Sequence, residues 1–292
     1  MGGTEPGLRP LTPRDMPDLE ALVAEAGWNQ THEDWERMLS LGTGRGVADE
    51  TGRVVASSVT MPYGDAVGWI GMVLVTAAWR RCGLATRLLD RAVASLRDAG
   101  LVPGLDATPA GEPVYRRLGF SGDVALTRWR RPAAAGRGSG PAAPDDCTPD
   151  DARLAETTPG DLDWIAALDA RAFGADRRPL LTSLLARGAA GWKRGEAGFL
   201  LRRPGRTATQ LGPLCAEDEG TAAHLLACAV QAEAGPLLID VPDAQEATVR
   251  LLERAGFTAE RPFLRMYLGA GRDEGVGGEP ALLHAIAGPE FG

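Results

Sequence analysis

The run from Trp69 to Leu89, WIGMVLVTAAWRRCGLATRLL, constrains the chain more than any other. Ile70 to Val75 is apolar and rich in β-branched residues, which predicts a buried strand. Leu84, Leu88, Leu89, Ala92, Val93 and Leu96 recur at helical spacing. They predict a helix from Ala85 to about Ala99, closed by Gly100. Between strand and helix lies Arg80-Arg81-Cys82-Gly83-Leu84-Ala85. The first N–H groups of a helix are unpaired and partly positive, and such an end holds anions. Gly83 and Ala85 keep bulk off the backbone there, and Arg80, Arg81 and Arg87 add charge. The stretch predicts a pyrophosphate cradle.

The flanking residues supply the rest of a sheet. Leu8 to Leu11 predicts a first strand, and Thr12-Pro13-Arg14-Asp15 opens a helix to about Ala26. A second helix, His32 to Leu41, follows a Thr31 cap. Strands at Gly46 to Asp49 and Val54 to Pro62 flank a turn at Glu50-Thr51-Gly52-Arg53. After the central helix come a strand at Leu101 to Asp106, a loop, a short helix at Glu112 to Leu118, and a strand at Val124 to Arg131.

The spacing Arg-x-x-Gly-x-Ala, after a strand and opening a helix, resembles the acetyl-CoA pyrophosphate loop of the GNAT N-acetyltransferase superfamily. The run DATPAGEPVYRRLGF, Asp106 to Phe120, resembles that family's second signature: a strand, a small loop, a helix bearing Tyr, and a terminal Gly-Phe. The two stand in family order, one helix and one strand apart. The resemblance covers roughly residues 6–132.

The second half partly repeats the first. Thr158-Pro159-Gly160-Asp161 echoes Thr12-Pro13-Arg14-Asp15, and Gly256-Phe257 echoes Gly119-Phe120. Helices are predicted at Asp161 to Ala172, Arg178 to Arg187, Glu219 to Ala234 and Ala244 to Ala255. Strands are predicted at Gly191 to Arg194, Gly198 to Arg202, Thr207 to Leu211, Pro236 to Val241 and Pro262 to Leu268, with a final one at Leu282 to Ala287. The expected fold is α/β (an α+β mixed sheet): two tandem GNAT-like domains, each a mostly antiparallel mixed sheet flanked by helices. Residues 1–132 form the catalytic domain, 133–152 a Pro/Ala/Gly-rich linker, and 153–292 a degenerate GNAT-like domain. Degeneracy is read from charge. Aligning the helices sets Gly220 against Gly83 and Ala222 against Ala85, but Glu217-Asp218-Glu219 replaces the arginine turn. Carboxylates there repel a phosphate. Leu252 stands opposite Tyr115 and has no proton to give.

A net charge of −8 disfavours a nucleic-acid binder. No run of about 18 apolar residues spans a membrane, and the N-terminus lacks a signal-peptide core. Cys82, Cys147, Cys215 and Cys228 show no metal spacing, and with three histidines no metal site is expected. A cytoplasmic protein is expected, with a homodimer left open.

The resemblance implies acetyl transfer from acetyl-CoA to a primary amine, small or peptidyl, by direct attack. It implies that backbone on the central strand at Met72, Val73, Leu74 and Val75 polarises the thioester, with Val73 and Leu74 as donors beside a β-bulge. Arg80, Arg81, Gly83, Leu84, Ala85 and Thr86, with Thr108, would hold the cofactor, and Tyr115 would protonate the departing thiolate. Trp28, Asn29 and Trp35 would line the acceptor pocket. His32, Glu33 and Asp34 are candidate bases. A non-catalytic acyl-CoA-binding module, and O-acyl or longer-chain acyl transfer, are the alternatives.

Overall fold

The structure, a computed structural model, describes residues 7–133, 154–186, 191–269 and 277–292. Nearly all of the expected linker, together with Cys147, lies outside the described residues. The chain divides into two compact units between Leu105 and Asp106.

In the first unit, β1 (Leu8–Pro10), β2 (Thr43–Ala48), β3 (Val54–Tyr63), β4 (Val67–Val75) and the start of β5 (Val102–Ala107) lie side by side in that order. Neighbours are antiparallel except β4 and β5, which run parallel. Helices α1 (Met16–Ala26) and α2 (His32–Leu41) precede β2, and α3 (Leu84–Asp98) joins β4 to β5. A capping box starts α2: the Thr31 hydroxyl accepts from the Asp34 N–H at 3.3 Å, and Asp34 accepts from the Thr31 N–H at 3.0 Å. Helix α3 buries Leu84, Leu88, Leu89, Ala92 and Leu96. Each fully buried leucine contributes about 1.5–3 kcal/mol. Gly68 lets α3 come close, since a Cβ there would stand 2.3 Å from Leu96 Cδ2. That glycine also conceals the start of β4, which begins at Val67 rather than Ile70.

The second unit holds α4 (Glu112–Arg117), β6 (Phe120–Arg131), β7 (Leu154–Glu156), α5 (Leu162–Phe173), α6 (Arg178–Ala186), β8 (Gly191–Arg194), β9 (Gly198–Arg203), β10 (Thr209–Ala216), α7 (Glu219–Ala232), β11 (Leu237–Pro242), α8 (Glu246–Arg254), β12 (Thr258–Leu268) and β13 (Leu283–Ala285). Its strands are ordered β12-β6-β11-β10-β9-β8-β7, with β13 against β10. The repeat seen in the sequence is real at the level of caps: Asp161 accepts from the Thr158 N–H at 2.8 Å, as Asp15 does from the Thr12 N–H at 2.7 Å.

One pairing does not follow from the sequence halves. Strand β6, the last of the first half, lies between β11 and β12 of the second and is antiparallel to both. This is why the compact units divide at Leu105 and not in the low-complexity stretch. Buried charge fixes the arrangement. Arg128 on β6 faces Asp240 on β11, donating from Nε at 2.7 Å and Nη2 at 2.9 Å, and both side chains are almost wholly buried. Gln210 Nε2 donates to the same carboxylate at 3.0 Å. Among the described residues, no helix is long and apolar enough to cross a membrane.

Removing one partner of such a pair strands a buried charge, at a cost of about 3–5 kcal/mol. Arg128→Met should therefore lower the free energy of urea unfolding by an amount in that range. A loss below about 1 kcal/mol would show that the pair does not hold β6.

Candidate active site

Strand β4 breaks its ladder at the residues that the family resemblance assigns to the thioester. Ser57 pairs with Leu74 and Val59 with Gly71, so Met72 and Val73 together oppose Ser58 alone. This is a β-bulge, which bends a strand and re-aims its backbone. Met72 takes φ +54°, a conformation uncommon outside glycine. The Ser57 hydroxyl holds it there, donating to the Met72 carbonyl at 2.9 Å. On the other edge, β4 pairs with β5 only from Val67 to Trp69, against Val102 to Gly104. Beyond Trp69 that ladder ends. Met72 and Leu74 are buried, and Val73 and Val75 half-buried.

The chain then makes a 3-10 turn at Ala77–Trp79 and enters the basic loop. Arg81 and Gly83 both adopt the left-handed conformation, at φ +63° and +78°. Gly83 is the N-cap of α3 and, having no side chain, caps nothing. The first backbone bond at this end runs from the Arg87 N–H to the Gly83 carbonyl at 3.1 Å. The N–H groups of Leu84, Ala85 and Thr86 precede it and have no intrahelical acceptor. Arg81, Cys82, Gly83 and Thr86 are exposed, Ala85 is half-buried, and Leu84 is buried in the core. Arg80 is tethered: Nε donates to the Val75 carbonyl at 3.1 Å, and Nη2 lies 3.3 Å from Glu25. Glu25 also accepts from Thr76 and the Ala77 N–H, and those bonds hold its carboxyl below the usual range. Arg80 thus braces the loop, while Arg81 and the helix end face outward.

Tyr115 and Thr108 belong to the second unit. Tyr115 is half-buried on α4, with its ring edge-on to Phe120 at 6.1 Å. Burial pushes its phenol up to about 12. The Thr108 carbonyl accepts from the N–H groups of Gly111 and Glu112, both at 2.9 Å, and its hydroxyl lies 3.2 Å from the Gly111 N. Thr108 is therefore the turn that starts α4.

The residues expected to line an acceptor pocket divide. Trp28 is half-buried and Asn29 buried in the loop between α1 and α2. Trp35 has 0 % exposure, so it corrects the expectation of a pocket wall: its ring packs in the core and offers no face to a ligand. Asp34 is likewise structural, since it caps Thr31 and pairs with Arg37 at 3.0 Å. His32 is exposed and lies 2.7 Å from Glu20; Glu33 is exposed. Among the described residues, no cluster of three or more His, Cys, Asp or Glu could hold a metal.

Comparison with known proteins bears on this geometry. The model of the acetyltransferase (GNAT) family matches residues 11–120, and that of the acetyltransferase (GNAT) domain matches residues 165–275. The chain belongs to the GNAT acetyltransferase family. It carries two GNAT domains in tandem and is a transferase. An uncharacterised N-acetyltransferase of Bacillus subtilis, YitH, is 26% identical over 249 residues, covering 82% of this chain and 83% of its own length. The crystal structure of a putative acetyltransferase from Pyrococcus horikoshii superposes with a TM-score of 0.80 at 21% identity, covering 100% of this chain and 98% of that one. A tandem GNAT protein from the clavulanic acid biosynthesis pathway gives 0.59 at 15% identity, over 90% and 98%.

The second GNAT repeat meets the same positions differently. Its β10 pairs with β11 for three residues, Thr209 to Leu211 against Leu237 to Ile239. Past that point β13 fills the opening: Leu214 pairs with Ala285, Cys215 with Leu283, and the Ile286 N–H donates to the Asp240 carbonyl at 3.0 Å. Gly212, at φ +129°, admits this segment, because a Cβ there would stand 2.0 Å from the Ile286 oxygen. The start of α7 is closed too. Asp218 accepts from the Thr221 N–H at 2.8 Å, and that bond, with the Thr221 hydroxyl, keeps its carboxyl below the usual range. Leu252, the counterpart of Tyr115, is buried in the core.

No atom lies within 4 Å of a Cβ built on Gly83, so only its dihedral demands glycine. Gly83→Ala should cost about 1–2 kcal/mol in urea unfolding, the penalty of the left-handed conformation. Gly83→Asn should cost less. Equal stability of all three forms would mean that the loop relaxes to another conformation.

Proposed function

We propose that the chain transfers an acetyl group from acetyl-CoA to a primary amine, with the chemistry carried by the first GNAT repeat. The supporting observation is the contrast at the two helix starts. That of α3 is uncapped, preceded by Arg81 and Gly83, and suited to a pyrophosphate. That of α7 holds its own carboxylate. The bulge at Met72 and Val73, with the end of the β4–β5 ladder at Trp69, supports a pantetheine arm running along β4.

In this reading the neutral amine attacks the thioester carbon directly. Holding the two reactants together supplies much of the rate. Negative charge grows on the carbonyl oxygen, and backbone N–H groups at Val73 and Leu74 meet it. The C–S bond then breaks, the thiolate leaves, and the nitrogen gives up a proton to a base or water. Tyr115 is assigned to the thiolate by the Tyr-x-x-Leu-Gly-Phe match. With a pKa of about 12 its phenol is fully protonated at neutral pH. Because a thiol titrates near 8.5, full proton transfer from such a phenol is uphill. Its contribution is a hydrogen bond to the developing thiolate.

Calorimetry should find one acetyl-CoA site per chain. Arg81→Glu should weaken it at least tenfold and lower its salt dependence. Two equal sites would overturn the reading of the second repeat. Acetyl-CoA consumption measured over polyamines, aminoglycosides, amino acids and peptides identifies the acceptor class, and no turnover on any would favour the acyl-CoA-binding module.

Tyr115→Phe should lower turnover about 10²-fold, within the range of positioned proton donors, and leave acetyl-CoA affinity unchanged. The protonated phenol is the working form, so Tyr115 predicts no alkaline loss of turnover below about pH 11. A Tyr115-dependent fall near pH 9 would contradict the burial that raises it.

A further inference from the structure

We infer that Arg265, a residue of the second GNAT repeat, is a positioning residue for Tyr115, acting through Asp106. This rests on the role proposed for Tyr115. The Asp106 carboxylate is fully buried and receives both Nε and Nη2 of Arg265 at 2.9 Å. Arg265 is braced in turn: its guanidinium lies 5.5 Å from the centre of the Phe173 ring. The Arg177 guanidinium lies 4.0 Å from the same ring and is paired with Asp169 at 2.7 Å. Asp106 is thus fixed by a rigid, charge-compensated interior.

Two residues later the backbone of Thr108 starts α4, and the Gly111 carbonyl accepts from the Tyr115 N–H at 3.2 Å. The tyrosine ring lies against Gly111, where a Cβ would stand 2.8 Å from Cε2. Helix α4 has only six residues, too few to hold an orientation by itself. Its far end is fixed by the same strand that carries Arg265. Phe120, which meets the Tyr115 ring, pairs with Leu268 on β12. Strand β12 therefore clamps α4 from both sides, by an ion pair before it and a ladder after it. The second repeat would then keep the tyrosine of the first in place.

The test is a double-mutant cycle in the full chain, read by turnover of acetyl-CoA with the amine best consumed in the panel above. Arg265→Lys leaves a cation beside Asp106 but removes the two-pronged grip. It should lower kcat at least tenfold, with acetyl-CoA affinity changed less than twofold. In a Tyr115→Phe background the same substitution should cost less than threefold, because the positioned group is gone. Equal losses in both backgrounds would overturn the inference. A Tyr115→Phe variant as active as the parent would instead overturn the proposed role of Tyr115. Fluorotyrosine labelling supplies a readout independent of the acceptor, since the chain has three tyrosines. The Tyr115 resonance, assigned by its loss in Tyr115→Phe, should shift or broaden in Arg265→Lys while that of Tyr63 does not. Thr108→Val, which acts on the turn without touching the buried pair, should move the same resonance. A Tyr115 resonance unmoved in Arg265→Lys would overturn the inference whatever the turnover shows.

Discussion

The pairing of Arg128 with Asp240 fixes where β6 lies, and much of the second unit follows from it. Burying two charges is no bargain against apolar packing, and buried ion pairs are better attested as devices that set register. A strand slipped by one residue turns every side chain to the opposite face. Here a slip would carry Arg128 away from Asp240, its direct cross-strand neighbour, and leave the buried carboxylate without its counter-charge. The same logic recurs nearby. Arg177 meets Asp169, Arg203 meets Glu290, and Arg265 meets Asp106, each with both partners buried. These pairs join β5, β6, β9, β11, β12, the α5 region and the last described segment, so each strand has one place that satisfies its charge.

Both repeats contain a parallel strand pair whose ladder stops after three residues, and the two openings have different fates. Backbone polar groups that leave a ladder must find other partners. In the second repeat the chain provides them: β13 lies on β10, and Ile286 reaches Asp240 on β11. In the first, the opening lies next to a bulge and a helix start with no side-chain cap. A family fold says little about function, because function resides in the site. The two ends differ by a few residues on one fold: α7 starts at the Asp218 cap and β13 covers β10, while α3 starts at Gly83 with no side-chain cap.

Much of this was legible in the sequence. The capping residues Thr12, Thr31 and Thr158 placed their helices, and the spacing of Leu84, Leu88 and Leu96 gave α3 to within a residue or two. The basic loop and its acidic counterpart could be read from charge alone. Other features could not. Gly212-Pro213 reads as a strand end, yet β10 continues to Ala216, because the glycine there accommodates Ile286. β7 has three residues and a single large apolar one, too few for a period. β6 and β12 have similar patterns, ALTRWRR and FLRMYLG, so periodicity alone could not tell which strand pairs with which sheet. Arg265 and Asp106 are 159 residues apart, and nothing local marks either as buried. Trp35 reads as a pocket residue in sequence, because an aromatic beside a loop looks the same whether it faces a ligand or the core.

The position of β6 also bears on whether the second repeat is independent. It is not independent, because β6 has β11 on one edge and β12 on the other. Without them β6 would present two unpaired edges, a template for aggregation. Substitutions in the acidic turn before α7 leave this pairing untouched, whereas those that break the Arg128–Asp240 or Arg265–Asp106 pair strand a buried charge beside it.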